Sequence, residues 1–240
     1  MCPNCRAFIT TDDRVCPYCQ TQVGPRAVDR GPSGGSVLGG LIPQARFTTV
    51  MILLVNFALY AVDALSATSP LRQYGMSLPW PMRHEYYRLV TAGFLHGGIV
   101  HILMNSWVLF DLGAEVEQIY DTSRLLVFYF ISTITGFWLS SVVGHNYSLG
   151  SSAGIFGLIG AMLAFGFTDK SALGAAVKSL YSRWLIYALV LSFIPGVDYW
   201  AHIGGLIGGF GVGVLVSTPR ARLMWKEPLI KGAAAASLVI

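Results

Sequence analysis

The stretch that decides the fold reads Leu149-Gly150-Ser151-Ser152-Ala153-Gly154-Ile155-Phe156-Gly157. It opens an apolar, glycine-rich run, and a second such run opens with Ala201-His202-Ile203-Gly204-Gly205. Polar and ionisable groups inside a membrane are costly and usually face a water-filled interior. Ser152 and His202, each a few residues inside such a run, are therefore candidates for a nucleophile and a base that meet within the bilayer.

The composition supplies the bilayer. Of the 240 residues 54% are hydrophobic and 12% charged, against roughly 25% charged in ordinary globular chains. A hydrocarbon core of about 30 Å takes around 20 mostly apolar residues per helix. Six stretches fit: 47–65, 94–114, 124–143, 151–168, 183–197 and 201–217, the fifth being the shortest. The fold class expected is an all-α polytopic membrane protein with six transmembrane helices. The first 45 residues lack the continuous apolar core of a cleavable signal peptide, so the first membrane helix is expected to act as its own insertion signal.

The net charge of +4 does not point to nucleic acid, because the basic residues are distributed by loop and form no patch. They report topology instead. With the amino terminus inside, the inner segments hold Arg6, Arg14, Arg26, Arg30, Arg46, Arg124, Lys170, Lys178, Arg183, Arg220, Arg222, Lys226 and Lys231. The outer loops hold only Arg72, Arg83 and Arg88, a split of 13 to 3 among the 16 basic residues. The positive-inside rule then places both termini in the cytoplasm.

Residues 1–20 carry Cys2-Pro-Asn-Cys5 and Cys16-Pro-Tyr-Cys19. Two short thiolate pairs at this distance can close one tetrahedral zinc site, and a cytosolic location keeps the thiols reduced. Four cysteines leave no open coordination position, so the zinc of Cys2, Cys5, Cys16 and Cys19 is read as structural. Two redox or disulfide pairs are the alternative. The segment resembles the short zinc ribbons at the ends of many bacterial membrane proteins, which sets the expected location as the bacterial inner (plasma) membrane. Such a ribbon is also a place for an unidentified partner to bind.

Glycine, proline and serine make 21–45 a flexible linker by composition. The membrane domain spans 46–217, and a basic then apolar tail occupies 218–240, either an interfacial segment or the start of a seventh helix. The connection over 66–93 contains Pro70, Pro79, Trp80, Pro81, Tyr86 and Tyr87, a composition suited to the membrane interface.

The same topology brings polar groups to one level. The second, fourth and sixth helices all start on the outer side, with His96, His101 and Asn105 near the start of the second. His101 and Asn105 are four residues apart and share a helix face, able to point at one oxygen atom. His96, five before His101, need not share that face and is read as structural. Each residue has a plainer reading taken alone: Ser152 as a packing residue bonded to its own helix, His202 as an interhelical hydrogen-bonding group. The glycines at 204, 205, 208, 209, 211 and 213 signal close helix packing. Such packing is also what brings His202 against Ser152.

Together these residues resemble the rhomboid intramembrane serine proteases over about 47–217. The family's H-x-x-x-N matches His101 and Asn105. Its G-x-S-G-x-x-F-G matches Gly150, Ser152, Phe156 and Gly157, and its A-H-x-x-G matches Ala201, His202 and Gly205. The resemblance implies a six-helix bundle in which Ser152 is the nucleophile and His202 its general base, with no third carboxylate and no catalytic cofactor. Asn105, His101 and the backbone N–H of Ser152 would form the oxyanion hole. Substrates would be single-pass or polytopic membrane proteins, cleaved in or near a transmembrane segment. Phe156, one turn after Ser152, is expected to pack on the imidazole of His202 and orient it.

Ala153 stands where the family motif usually has glycine, which puts a methyl group beside the nucleophile. Tyr87-Arg88 replaces a more usual Trp-Arg, and Glu117 matches a structural glutamate at the inner end of the second helix. Gly150-Ser151-Ser152-Ala153-Gly154 also satisfies G-x-S-x-G, the nucleophile elbow of soluble α/β-hydrolases, but the membrane flanks exclude that sheet. Ser151 is a second candidate nucleophile, although Phe156 and Gly157 fit the family spacing only from Ser152. Two other function classes remain: a catalytically inactive rhomboid-like protein that binds membrane helices in quality control or trafficking, and a small transporter using the polar cluster as a path.

Overall fold

A computed structural model of the protein describes residues 4–5, 15–22, 36–37, 42–43, 46–79, 84–143, 147–216 and 226–238. The chain divides into two compact units, Met1–Gln44 and Ala45–Ile240.

In the first unit Val15 and Gln22 form an antiparallel bridge. The turn between them is closed by Cys16 N–H to the Thr21 carbonyl and Gln20 N–H to the Cys16 carbonyl, both 2.9 Å. Gln20 adopts φ of 58° to make this turn. Further along, β1 (Ser36–Val37) pairs antiparallel with β2 (Ile42–Pro43), inside the segment whose composition reads as a linker.

The second unit is helical. It comprises α1 (Phe47–Leu65), α2 (Pro70–Gly75), α3 (Arg88–Thr91) running into a 3-10 turn over Ala92–Phe94, α4 (Ile99–Tyr120) and α5 (Thr122–Val143). The order continues with α6 (Ser152–Thr168), α7 (Ala172–Leu191), α8 (Tyr199–Leu215) and α9 (Glu227–Ser237). Among the described residues, α1, α4 and α5 are long and apolar enough to cross a membrane, while α6 and α8 are shorter apolar helices. Two expected stretches move. The second helix begins at Ile99 rather than 94, because Gly97 and Gly98 interrupt the apolar run. The fifth stretch, read as 183–197, is a 20-residue helix that starts at Ala172 and ends at Leu191. Lys178 and the small and polar residues around it hid its first half from a hydropathy reading.

α6 is the axis of the bundle. Every residue from Ala153 to Gly166 is buried, and α4, α5, α7 and α8 pack around it. Its contact with α8 is a backbone-to-backbone zipper. A Cβ on Gly205 would lie 2.1 Å from the Ala153 carbonyl oxygen, one on Gly209 1.9 Å from that of Gly157, and one on Gly213 3.0 Å from the Cα of Ala161. The partners advance by four residues on each helix in the same direction, so the two helices run parallel in fixed register. Without a solvent-driven force between apolar helices in lipid, this close approach is how they associate. Its consequence is to set the height of His202, one turn before Gly205, against the start of α6.

The N-terminal end of α1 is held by Glu117 of α4. Its carboxylate accepts from Thr48 N–H (3.1 Å), Thr49 N–H (3.3 Å), Thr49 Oγ1 (3.1 Å) and Thr122 Oγ1 (2.9 Å). These donors include first-turn amides that no intrahelical carbonyl can satisfy. The long connection after α1 is knitted by Arg88, which donates to Glu85 and to the carbonyls of Gln73 and Met76. Ser77 then pairs with Ser148 in an antiparallel bridge, tying this connection to the segment that leads into Ser152. Trp80 and Pro81 lie outside the described residues. At the other end of the chain the tail includes α9, which packs on α5 with Ile230 and Ala234 buried. The Arg124 guanidinium, 1% exposed, bonds both Asp121 and Glu227 there.

Candidate active site

Three helix starts converge on one cavity of about 1530 Å³. Gly97 and Gly98 line it just before α4, His101 and Asn105 from α4, Ser152 and Phe156 from α6, and Asp198 and His202 from α8 and its cap. Trp184, Tyr187, Ala188 and Leu191 of α7 form another wall. The starts of α4, α6 and α8 therefore share one side of the bundle.

Ser152 is the first residue of α6 and is partly exposed to the cavity. Gly150, at φ +126°, turns the chain into the helix, a conformation that L side chains rarely adopt. Ser151 takes a different position. It is fully buried, and its Oγ lies 3.3 Å from His96 Nε2. The cavity thus meets Ser152 and not Ser151. His96 is itself 2% exposed and packs edge-on against His101, with ring centroids 5.1 Å apart.

His202 is buried and stacks on Phe156, with centroids 4.2 Å apart and 13° between planes. Its Nδ1 lies 2.6 Å from Ser192 Oγ at the end of α7. The helix beneath it is capped by Asp198, whose carboxylate accepts from Ala201 N–H and from Ser140 Oγ. No hydrogen bond joins Ser152 to His202 among the described residues; both line the cavity.

His101 and Asn105 border the space above Gly150. A Cβ there would come 2.6 Å from His101 Nε2 and 3.5 Å from Asn105 Nδ2. The Gly97 N–H reaches His101 Nδ1 at 3.4 Å, so Nδ1 is an acceptor and Nε2 carries the proton. Asn105 Nδ2 is buried with no partner. Two N–H donors, one unsatisfied, thus stand beside the N-terminus of α6, whose own first amides lack intrahelical acceptors and whose dipole favours negative charge.

The methyl of Ala153 points elsewhere. Ala153 is fully buried with Ala92, Phe137 and Ala201, and a Cβ on Gly136 of α5 would lie 2.8 Å from its own. The extra carbon occupies the room that Gly136 leaves, and it is not part of the cavity wall.

A family model described as the Rhomboid domain matches residues 83–219. This chain belongs to the rhomboid family. It is 38% identical over 135 residues to RHOMBOID-like protein 4 of Arabidopsis thaliana, covering 55% of this chain and 34% of that one. It is 34% identical over 146 residues to Rhomboid protease GluP of Bacillus subtilis, covering 60% and 29%. It is also 34% identical over 127 residues to Inactive RHOMBOID-like protein 8 of Arabidopsis thaliana, covering 52% and 36%. The chain therefore spans about a third of the length of each of these relatives. Family and apolar helices together make it an integral membrane protein.

In the amino-terminal unit the Sγ atoms of Cys5, Cys16 and Cys19 lie within 4.8 Å of one another. Cys2 lies outside the described residues. Tetrahedral zinc with Zn–S of about 2.3 Å sets its sulfurs about 3.8 Å apart, and Cys5 and Cys16 are at 3.6 Å. The three thiols fit a metal site. Thr21 Oγ1, 3.0 Å from Asn4 Nδ2 and 3.3 Å from Cys19 Sγ, bridges the two knuckles.

Two neighbours of the site, Ser192 and Asp198, were not singled out from the sequence. Ser192 reads as one more small polar residue at the end of an apolar run, and its pairing with His202 depends on how α7 leans. Asp198 was legible in principle, since an aspartate just before an apolar periodic run is a helix-start signal.

Proposed function

We propose that this rhomboid is an intramembrane serine endopeptidase that cleaves peptide bonds in or near the transmembrane segments of membrane proteins. The observation that carries the reading is the convergence of Ser152, His202, His101 and Asn105 on one cavity. His202 acts as general base on the Ser152 hydroxyl, a weak nucleophile until its proton is removed. Ser152 Oγ attacks the scissile carbonyl. His202 then delivers the proton to the leaving amine, and water hydrolyses the acyl-enzyme by the reverse sequence. Ser152 and His202 line the same cavity, and catalytic hydrogen bonds are often long or unformed without substrate. Asn105 Nδ2, His101 Nε2–H and the Ser152 N–H stabilise the oxyanion, one such donor being worth about 2.7–4 kcal/mol.

Six helices, α1 and α4–α8, span the membrane in this reading, with both termini in the cytoplasm by the charge distribution and the cavity opening outward. The bacterial inner membrane is the proposed location. Cys2 joins Cys5, Cys16 and Cys19 around one structural zinc ion that takes no part in the hydrolysis. The domain limits proposed are the ribbon at 1–20, the linker at 21–45, the membrane domain at 46–217 and the tail beyond.

A second reading, an inactive membrane-helix-binding protein, is favoured by the relative named inactive. Wild type and Ser152→Ala in proteoliposomes with transmembrane substrates separate the two. Cleavage by wild type alone supports the protease; retention of intact substrates by both proteins, without cleavage, supports the binder.

A further inference from the structure

We infer that Ser192 is a positioning residue that fixes the tautomer of His202, an assignment that rests on the proposed role of His202 as base. Ser192 Oγ lies 2.7 Å from the Ala188 carbonyl oxygen and 2.6 Å from His202 Nδ1. A hydroxyl has one proton and two acceptor lone pairs. Two oxygens 2.7 Å apart need that proton between them, so it is donated to Ala188 O. Ser192 Oγ then meets Nδ1 only as an acceptor, which places the imidazole proton on Nδ1. The lone pair is left on Nε2, the nitrogen free to take a proton from Ser152.

Ser192 is 2% exposed, so this hydrogen bond is not shared with bulk water. It performs by a neutral hydroxyl what a buried carboxylate performs in a three-residue serine hydrolase site, orienting the ring and selecting the tautomer. Phe156 fixes the plane of the ring but cannot choose which nitrogen is protonated. Asp198, the nearest carboxylate on α8, is engaged by Ser140 and the α8 N-terminus.

The placement adds a second consequence. α7 buries Gly174, Val177 and Tyr181 in its first half, and between Tyr181 and Ser192 no residue is buried. The second half of α7 meets the core through the half-buried Trp184, Leu185 and Ala188, and the Ser192 to His202 bond ties its end to the site.

The test uses full-length protein with 15N-labelled histidine, the His202 signal being assigned by its loss in His202→Gln. The expected wild-type spectrum shows Nδ1 protonated and Nε2 bare. In Ser192→Ala the signal moves toward the opposite tautomer, and kcat falls at least about tenfold with little change in KM, up to the about 10²–10⁴-fold that a positioned general base supplies. Ser192→Thr, which keeps the hydroxyl, restores both. A bare Nδ1 in wild type, or a Ser192→Ala protein with unchanged tautomer, overturns the assignment. Absence of cleavage by wild type overturns the protease reading alone, and the spectrum still decides the role of Ser192.

Discussion

The imidazole of His202 lies flat on the ring of Phe156, 13° from parallel at 4.2 Å between centroids. Aromatic pairs are worth about 0.5–1.5 kcal/mol beyond burial, and here that energy selects one ring plane for the proposed base. Phe156→Ala is expected to lower kcat by up to about tenfold while the protein stays folded. Phe156→Tyr keeps the stack and most of the rate. Steady-state cleavage rates beside circular dichroism check this, and an Ala variant with wild-type turnover would contradict it.

Asn105 Nδ2 is a buried donor without a partner in the resting site, which suits a group kept for an oxyanion that forms later. Asn105→Ala should cost about 10²–10³ in kcat, the usual effect of removing one such donor. Single-turnover kinetics on a transmembrane substrate would measure it. A change confined to KM would mean that Asn105 binds substrate and transition state alike.

Ala153→Gly is expected to leave turnover unchanged, because the methyl faces Gly136 and not the cavity. Stability should drop by about 0.5–1 kcal/mol, from the added backbone freedom of glycine in a helix. A large rise in turnover would show that the methyl does crowd the nucleophile.

Gly209→Ala places a carbon 1.9 Å from the Gly157 carbonyl oxygen, so α6 and α8 must separate. Overpacking of this kind costs about 1–3 kcal/mol. Activity should fall more than stability alone predicts, since the same zipper sets the height of His202. Thermal denaturation and cleavage rate, measured on one preparation in detergent, test the pair of effects.

Glu117→Ala strands the amides of Thr48 and Thr49, and the expected loss is at least about 1.5–3 kcal/mol, the worth of one hydrogen bond to a charged group. Glu117→Gln keeps an acceptor and should lose less. A melting temperature equal to wild type in the Ala variant would contradict the anchoring of α1 by this carboxylate.

The helices were legible where hydropathy and structure depend on the same residues. α1 coincides with its expected stretch, 47–65, because nothing in it but Asp63 is charged and Ser66 ends it. α7 was misplaced because its first half carries Lys178 beside several small and polar residues yet buries Val177 and Tyr181, a tertiary fact. The stack of Phe156 on His202 followed from helical spacing and a parallel neighbour. The choice of Ser152 over Ser151 was made on the family spacing to Phe156 and Gly157; that Ser152 and not Ser151 lines the cavity depends on the turn at Gly150, which spacing does not contain. The room for Ala153 depends on Gly136, seventeen residues away in sequence, which no local pattern connects to it.

The most direct test of Ser152 as a nucleophile activated by His202 is labelling of the purified protein with a serine-reactive phosphonate, with the adduct located by mass spectrometry. The account predicts a single adduct on Ser152 in wild type and none in His202→Ala. An adduct on Ser151, or labelling of Ser152 that persists undiminished without His202, would contradict it.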